Sequence, residues 1–262
     1  MAIYHEVMGE GPDLVLLHGW GMNSQVFNGL ADALAQHHRV HLLDLPGFGL
    51  SQESAAAAHS LDNWLAQLVA ALPARSHLLG WSLGGQLATL LALRWPERVK
   101  SLITVASSPR FVAAEGWPGM APSVLEHFAH ALQQDAGKTI ERFLAIQAMG
   151  SGTARDDIRQ LRTLLLERPI PDGTALALGL ELLAQLDLRL DLVKLTQPCL
   201  HLYGRLDSLV PVAAAEAIAR IHPMSRQHLF GASAHAPFIT ESAEFVQIVT
   251  NFVGEQAGNF LS

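Results

Sequence analysis

The sequence predicts an α/β protein: a mostly parallel sheet flanked by helices, with a helical segment inserted late in the chain. Three observations predict it. Short apolar runs rich in Val, Leu and Ile alternate with stretches of helical spacing, the pattern of strands joined by helical crossovers. The alternation lapses once, between about 111 and 190, where helical spacing continues and no convincing strand intervenes. The composition, 262 residues with 50% apolar and 16% charged, is ample for one sizeable core.

Strands are predicted at "LVLLH" (14–18), "VHLLD" (40–44), "HLLGW" (77–81), "VKSLITVA" (99–106), "CLHLYG" (199–204) and "RQHLF" (226–230). Runs this apolar suit a parallel sheet covered on both faces. The stretches "SVLEHFAHALQQ", "TIERFLAIQAMG", "ARDDIRQLRTLLLE" and "ALALGLELLAQL" carry the spacing of four successive helices. Residues 1–110 and 191–262 are therefore expected to form the core, and 111–190 a helical cap over one sheet edge. The biased stretch "SAAAAHS" (54–60) reads as a surface loop with some helical tendency.

Several classes of function are disfavoured. A net charge of −7 argues against nucleic-acid binding, which needs clustered Lys and Arg. No apolar run reaches the roughly 18 residues of a membrane span, and the start "MAIYHEVMGEGP" lacks a basic end followed by an apolar stretch. One cysteine, Cys199, cannot form an internal disulfide or a multi-thiolate metal site, and reads as a small buried strand residue. The 13 histidines do not group at metal-ligand spacing; His37 and His38, adjacent on a predicted helix, point apart, so no metal is assigned. The expectation is a cytoplasmic, monomeric protein.

Chemistry concentrates at strand ends. The pattern Gly80-Trp81-Ser82-Leu83-Gly84 follows a buried-strand run and opens the helical stretch "GGQLATLLALRWP". A sharp strand-to-helix turn holds its central residue in strained backbone, and flanking glycines are required where any side chain would strike a neighbouring element. A serine there stands above the carboxyl edge of the sheet, beside the unpaired N–H groups and positive dipole end of a helix. The competing role for Ser82 is an ordinary helix N-cap.

Suitable partners follow in chain order. Asp207, in "RLDSLVP", lies just past one predicted strand, and His235, in "GASAHAPF", just past the next. A serine hydroxyl needs an imidazole base within reach, and the imidazole needs a carboxylate to fix its tautomer. At a third strand end, "LLHGWGMN" (16–23) offers backbone N–H groups. With the Leu83 N–H, the Trp20 N–H is the expected second donor of an oxyanion hole, and the Trp20 side chain is expected to reach into an acyl pocket.

"LLHGWGMN", "LDLPGFG", "LLGWSLGG", "PERVKSLITVASSP", "ERFLAIQAMG", "LYGRLDSLVP" and "ASAHAPF" together resemble the pimeloyl-acyl-carrier-protein methyl ester esterases of biotin synthesis, within the α/β-hydrolase fold. The likeness runs from about residue 5 to about 250; "GWSLGG", "VASSPRF" with "GWPG", and "RFLAIQAMG" narrow it beyond the superfamily. It implies hydrolysis of the methyl ester on a pimeloyl chain held by acyl carrier protein, without a cofactor. It also implies substrate contact by Trp20, Ser82, Leu83, Phe143, Leu144, Ala145, Ile146, Gln147 and His235. Residues 138–168 hold six basic side chains against four acidic ones. Lys138 with Arg142, and Arg155 with Arg159, each stack on a helical face, as a ledge for an acidic carrier would require. The alternative is a solvated face paired locally with Asp156 and Asp157. Position 138 carries lysine where the family often has arginine, which keeps the charge and loses the bidentate fork.

Rival readings are a short-chain carboxylesterase, a carbon–carbon bond hydrolase, or a non-catalytic ligand receptor, all compatible with the core motifs. A haloalkane dehalogenase or epoxide hydrolase would carry Asp in place of Ser82.

Overall fold

The computed structural model describes residues 3–52 and 60–258; the stretch 54–60 lies outside them except for Ser60. A seven-stranded sheet forms the centre, built from β1 (His5–Met8), β2 (Asp13–Leu17), β3 (Arg39–Leu43), β4 (Ser76–Trp81), β5 (Val99–Val105), β6 (Cys199–Gly204) and β7 (Arg226–Phe230). Their order is β1-β3-β2-β4-β5-β6-β7, and every pair is parallel except β1 with β3. The six predicted strands are present within a residue at each end. The sequence reading missed β1, a four-residue edge strand whose side chains alternate between exposed and half-buried, so that it carries no apolar run.

The inner strands β2, β4 and β6 are buried almost throughout, because helices cover both sheet faces. Those helices are α1 (Asn28–Leu34), α2 (Leu61–Ala71), α3 (Leu83–Arg94), α8 (Val212–Ile221), α9 (Pro237–Thr240) and α10 (Ser242–Gly258). The Ser60 hydroxyl caps α2 by accepting from the Asn63 N–H. His37 and His38 lie past the end of α1: their N–H groups both bond the Leu34 carbonyl in the turn that feeds β3, which corrects their placement on a helix. Cys199 opens β6, buried as expected, and burial pushes its thiol up to about 12.

Between β5 and β6 lie α4 (Pro122–Gln134), α5 (Ala136–Gln147), α6 (Ala154–Leu166) and α7 (Gly173–Gln185), with no strand among them. Asp135 and Asp172 cap α5 and α7, and Pro122 opens α4, where its missing N–H costs nothing. Gly150, at φ +94°, turns the chain between α5 and α6.

Parallel pairing brings the carboxyl ends of β2, β4, β6 and β7 to one side of the sheet. The loops that leave those ends carry Trp20, Ser82, Asp207 and His235.

Candidate active site

Ser82 joins β4 to α3 with φ +56° and ψ −118°, a conformation that non-glycine residues rarely hold. Its main chain is pinned on three sides. The N–H donates to Val105 O at 2.9 Å, and the carbonyl accepts from Gly85 N at 2.9 Å and Ser107 Oγ at 2.8 Å. A Cβ on Gly84 would strike the Leu17 and His18 carbonyls, and one on Gly80 would strike the Gly84 carbonyl, so only glycine lets the elbow approach β2 this closely. Ser82 occupies the N-cap position of α3, yet its hydroxyl makes no capping bond. The N-cap role is therefore not what the side chain performs.

Asp207 and His235 are brought together on adjacent loops. His235 Nδ1 donates to Asp207 Oδ2 at 2.8 Å, and Asp207 Oδ1 accepts from the N–H groups of Leu209 at 2.8 Å and Val210 at 3.0 Å. An ionised carboxylate can only accept, so it holds the imidazole proton on Nδ1 and leaves Nε2 as a bare lone pair. Leu206 N donates to Ser233 O at 2.9 Å, which ties the two loops, and Glu241 accepts from the Ala232 N–H and the Ser233 hydroxyl. Trp81, the residue before the serine, donates its indole N–H to the His235 carbonyl at 2.7 Å.

Ser82 Oγ and His235 Nε2 are both fully enclosed, and neither has a hydrogen-bond partner. These are the two atoms a nucleophile and its base would use. The Ser82–His235 hydrogen bond itself is not made in this closed arrangement.

The loop after β2 lies against the elbow: a Cβ on Gly19 would stand 3.2 Å from Ser82 Cβ. His18 braces this loop, with Nδ1 donating to Gly19 O at 2.9 Å and Nε2 accepting from Leu45 N at 3.0 Å. Burial lowers the His18 pKa, with nearby Asp44 opposing, so the ring is neutral and can play both roles. The backbone N–H groups of Trp20 and Leu83 donate to no protein acceptor among the described residues. The Trp20 side chain does not stand free in a pocket. Its ring packs edge-on against Phe143 at 4.9 Å, and Nε1 donates to Leu176 O on α7 at 2.8 Å.

The stretch 143–147 divides by helical phase, since successive residues turn by about 100°. Phe143, Leu144 and Gln147 face inward and are buried, whereas Ala145 is exposed and Ile146 half-buried. Ala145 and Ile146 instead line an outer groove of about 460 Å³ between α4 and α5, together with Phe128 and Arg142. Phe128, Phe143 and Trp20 run in contact from that groove to the loop beside Ser82, with ring centroids 5.3 and 4.9 Å apart. Gln147 has both side-chain polar atoms buried without partners, and its carbonyl accepts from the His235 N–H at 3.0 Å.

The basic residues have divided allegiances. Lys138 pairs with Asp135 at 3.2 Å and Arg159 with Asp156 at 2.9 Å, while Arg142 and Arg155 have no ion-pair partner among the described residues. Asp157 is not part of a surface pair. Its buried carboxylate accepts from the hydroxyls of Ser151, Thr153 and Thr240, which fastens α6 to α9, and sequence reasoning missed this.

A family model described as the alpha/beta hydrolase fold matches residues 12–242. An esterase from Exiguobacterium antarcticum superposes with a TM-score of 0.84 at 25% identity, covering 96% of this chain and 95% of that one. A bromoperoxidase from Bacillus anthracis superposes equally well, at 0.84 and 21% identity over 96% and 95%, and supports the fold alone. The chain is a member of the α/β hydrolase fold family.

Curated relatives are closer. A pimeloyl-[acyl-carrier protein] methyl ester esterase of Aeromonas hydrophila is 56% identical over 97% of this chain and 100% of its own length. The protein of that name from Photobacterium profundum is 48% identical over 96% and 98%. Within the fold family, this chain belongs with the pimeloyl-[acyl-carrier protein] methyl ester esterases.

Proposed function

We propose that this chain is a serine carboxylesterase that cleaves the methyl ester of a pimeloyl chain carried by acyl carrier protein, releasing methanol and leaving the carboxylate, as a step of biotin synthesis. One observation carries the chemistry. A strained, uncapped Ser82 hydroxyl sits at the same sheet edge as an imidazole whose Nδ1 is held by Asp207 and whose Nε2 is bare. The names of the curated relatives carry the substrate.

In the reaction His235 Nε2 takes the Ser82 proton as Oγ attacks the ester carbonyl, and the N–H groups of Trp20 and Leu83 hold the oxyanion. The imidazolium, stabilised by Asp207, protonates the departing methoxide. Water then enters, is deprotonated by His235, and releases the acid from the acyl-enzyme. No step calls for a cofactor.

Residues 111–190 act as the cap over a core of 1–110 and 191–262. Because Ser82 is sealed, the cap helices part to admit the acyl chain, and the groove bearing Phe128 and Arg142 is the approach we favour. Lys138, Arg142, Arg155 and Arg159 form the ledge that orients the acidic carrier, with Arg142 and Arg155 available for it at once. The enzyme works in the cytoplasm as a monomer; no helix among the described residues is long and apolar enough to cross a membrane.

The test is mass spectrometry of methyl pimeloyl-acyl carrier protein incubated with wild type or with Ser82→Ala. Loss of the methyl group with wild type alone supports the reading. Cleavage of p-nitrophenyl acetate without demethylation of the carrier-bound ester overturns the substrate, and activity in Ser82→Ala overturns the nucleophile.

A further inference from the structure

Glycine is the poorest helix former after proline, yet Gly179 sits in the middle of α7, in "GTALALGLELLAQ". The surroundings explain why. A Cβ at 179 would stand 2.6 Å from Cδ1 and 3.2 Å from Nε1 of Trp20, and 3.2 Å from Cδ2 of Leu83. Neither neighbour can yield easily. Both side chains are fully buried, and the Trp20 indole is held from two further sides, by the Leu176 carbonyl at 2.8 Å and the Phe143 ring at 4.9 Å. Leu176 and Gly179 are three apart on α7 and so share a helical face. One supplies an acceptor for the indole N–H, and the other supplies the space in which the ring lies against the helix.

Trp20 and Leu83 also supply the backbone N–H groups, without a protein acceptor among the described residues, that the proposed reaction uses to hold the oxyanion. Their side chains meet at one glycine that belongs to neither loop. We infer that Gly179 is a positioning residue for the oxyanion hole: the notch it makes in α7 sets where the Trp20 and Leu83 side chains rest, and through them where both donors point. It touches neither substrate nor reacting atoms. The inference rests on the esterase reading above, and it makes the seating of α7 part of the catalytic geometry as well as a cover over it.

The experiment compares wild type, Gly179→Ala and Gly173→Ala. Gly173 opens the same helix, and a Cβ there meets nothing within 4 Å, so its variant controls for altered helix propensity. Three quantities are read for each: the melting temperature, kcat and KM on p-nitrophenyl acetate, and the inhibition constant of a small alkylboronic acid, which adds to the serine as a tetrahedral anion in the oxyanion position. In Gly179→Ala, kcat falls ten-fold or more, KM stays near the wild-type value, and boronate affinity falls by the factor lost in kcat. Gly173→Ala matches wild type.

In the Trp20→Ala background, which has no ring at all, Gly179→Ala causes little further loss, because the 2.6 Å contact is gone. Trp20→Phe alone, without the indole N–H that bonds the Leu176 carbonyl and seats the ring against α7, loses kcat and boronate affinity together; this covers the case in which Gly179→Ala does not fold. A Gly179→Ala protein with wild-type kcat and boronate affinity, whatever its melting temperature, overturns the inference, as does a Trp20→Phe protein that keeps both. If wild type fails to cleave the ester, or Ser82→Ala cleaves it equally, the esterase reading is what falls.

Discussion

Asp207→Asn separates the two duties of one carboxylate. Oδ1 receives the Leu209 and Val210 N–H groups at 2.8 and 3.0 Å, while Oδ2 receives His235 Nδ1 at 2.8 Å. An asparagine keeps one oxygen, and the two backbone donors claim it. Turning the amide round would set its NH2 against both donors and forfeit two hydrogen bonds at about 1 kcal/mol each, besides leaving two buried N–H groups unmet. The NH2 therefore faces His235 and donates to Nδ1. The imidazole proton moves to Nε2, the atom that must be bare to take a proton from Ser82. A triad locked in the wrong tautomer loses about 10⁴ in kcat, equivalent to about 5 kcal/mol of transition-state stabilisation. The loop should stay folded, since its N–H groups keep their acceptor. In Asp207→Ala, by contrast, those two buried donors are left unmet at about 1–3 kcal/mol each. The assay is kcat on p-nitrophenyl acetate beside the melting temperature of each variant. A folded Asp207→Asn protein that retains more than about a tenth of wild-type kcat would refute the tautomer argument.

Three further outcomes are expected. Ser82→Gly should abolish turnover yet raise stability by about 1 kcal/mol, because glycine holds φ +56° without strain; a lower melting temperature would show that the elbow stores none. Charge reversal at Arg142 and Arg155 should slow cleavage of the carrier-bound ester at low salt and leave a small free ester untouched, whereas equal slowing of both would remove the ledge. The third concerns acid. Burial, helped by nearby Lys100, His38 and Arg75, lowers the pKa of His77 from 6.5 to about 4. The unfolded chain takes up that proton near pH 6.5 and the folded protein resists it, so stability is level above 6.5 and falls as pH drops toward 4. At about 1.4 kcal/mol per pH unit the full loss is about 3 kcal/mol. Urea unfolding at pH 7 and pH 5 should show a smaller drop for His77→Gln than for wild type; parallel drops would reject His77 as a source.

The sheet and the elbow are legible in the residue order because both rest on local rules. Apolar runs mark the buried strands, and two glycines around Ser82 mark a turn that tolerates no side chain beside it. Asp207 and His235 are readable as residues just past strands, since parallel strands deliver such positions to one edge. Short β1, an edge strand with one half-buried face, has no comparable signature.

Periodicity states that a helix has an apolar face, and leaves open what that face meets. Hence Ala145 and Gln147, two positions apart, part ways only once α5 is docked, and Asp157 exchanges the expected surface arginine for three hydroxyls. The same holds for Trp20. The sequence alone determined that it follows a strand beside His18 and Gly19, with an N–H suited to an oxyanion. Only the tertiary structure decided that its indole bonds Leu176, 156 residues away, and lies against Gly179, because a contact that distant depends on how whole layers pack.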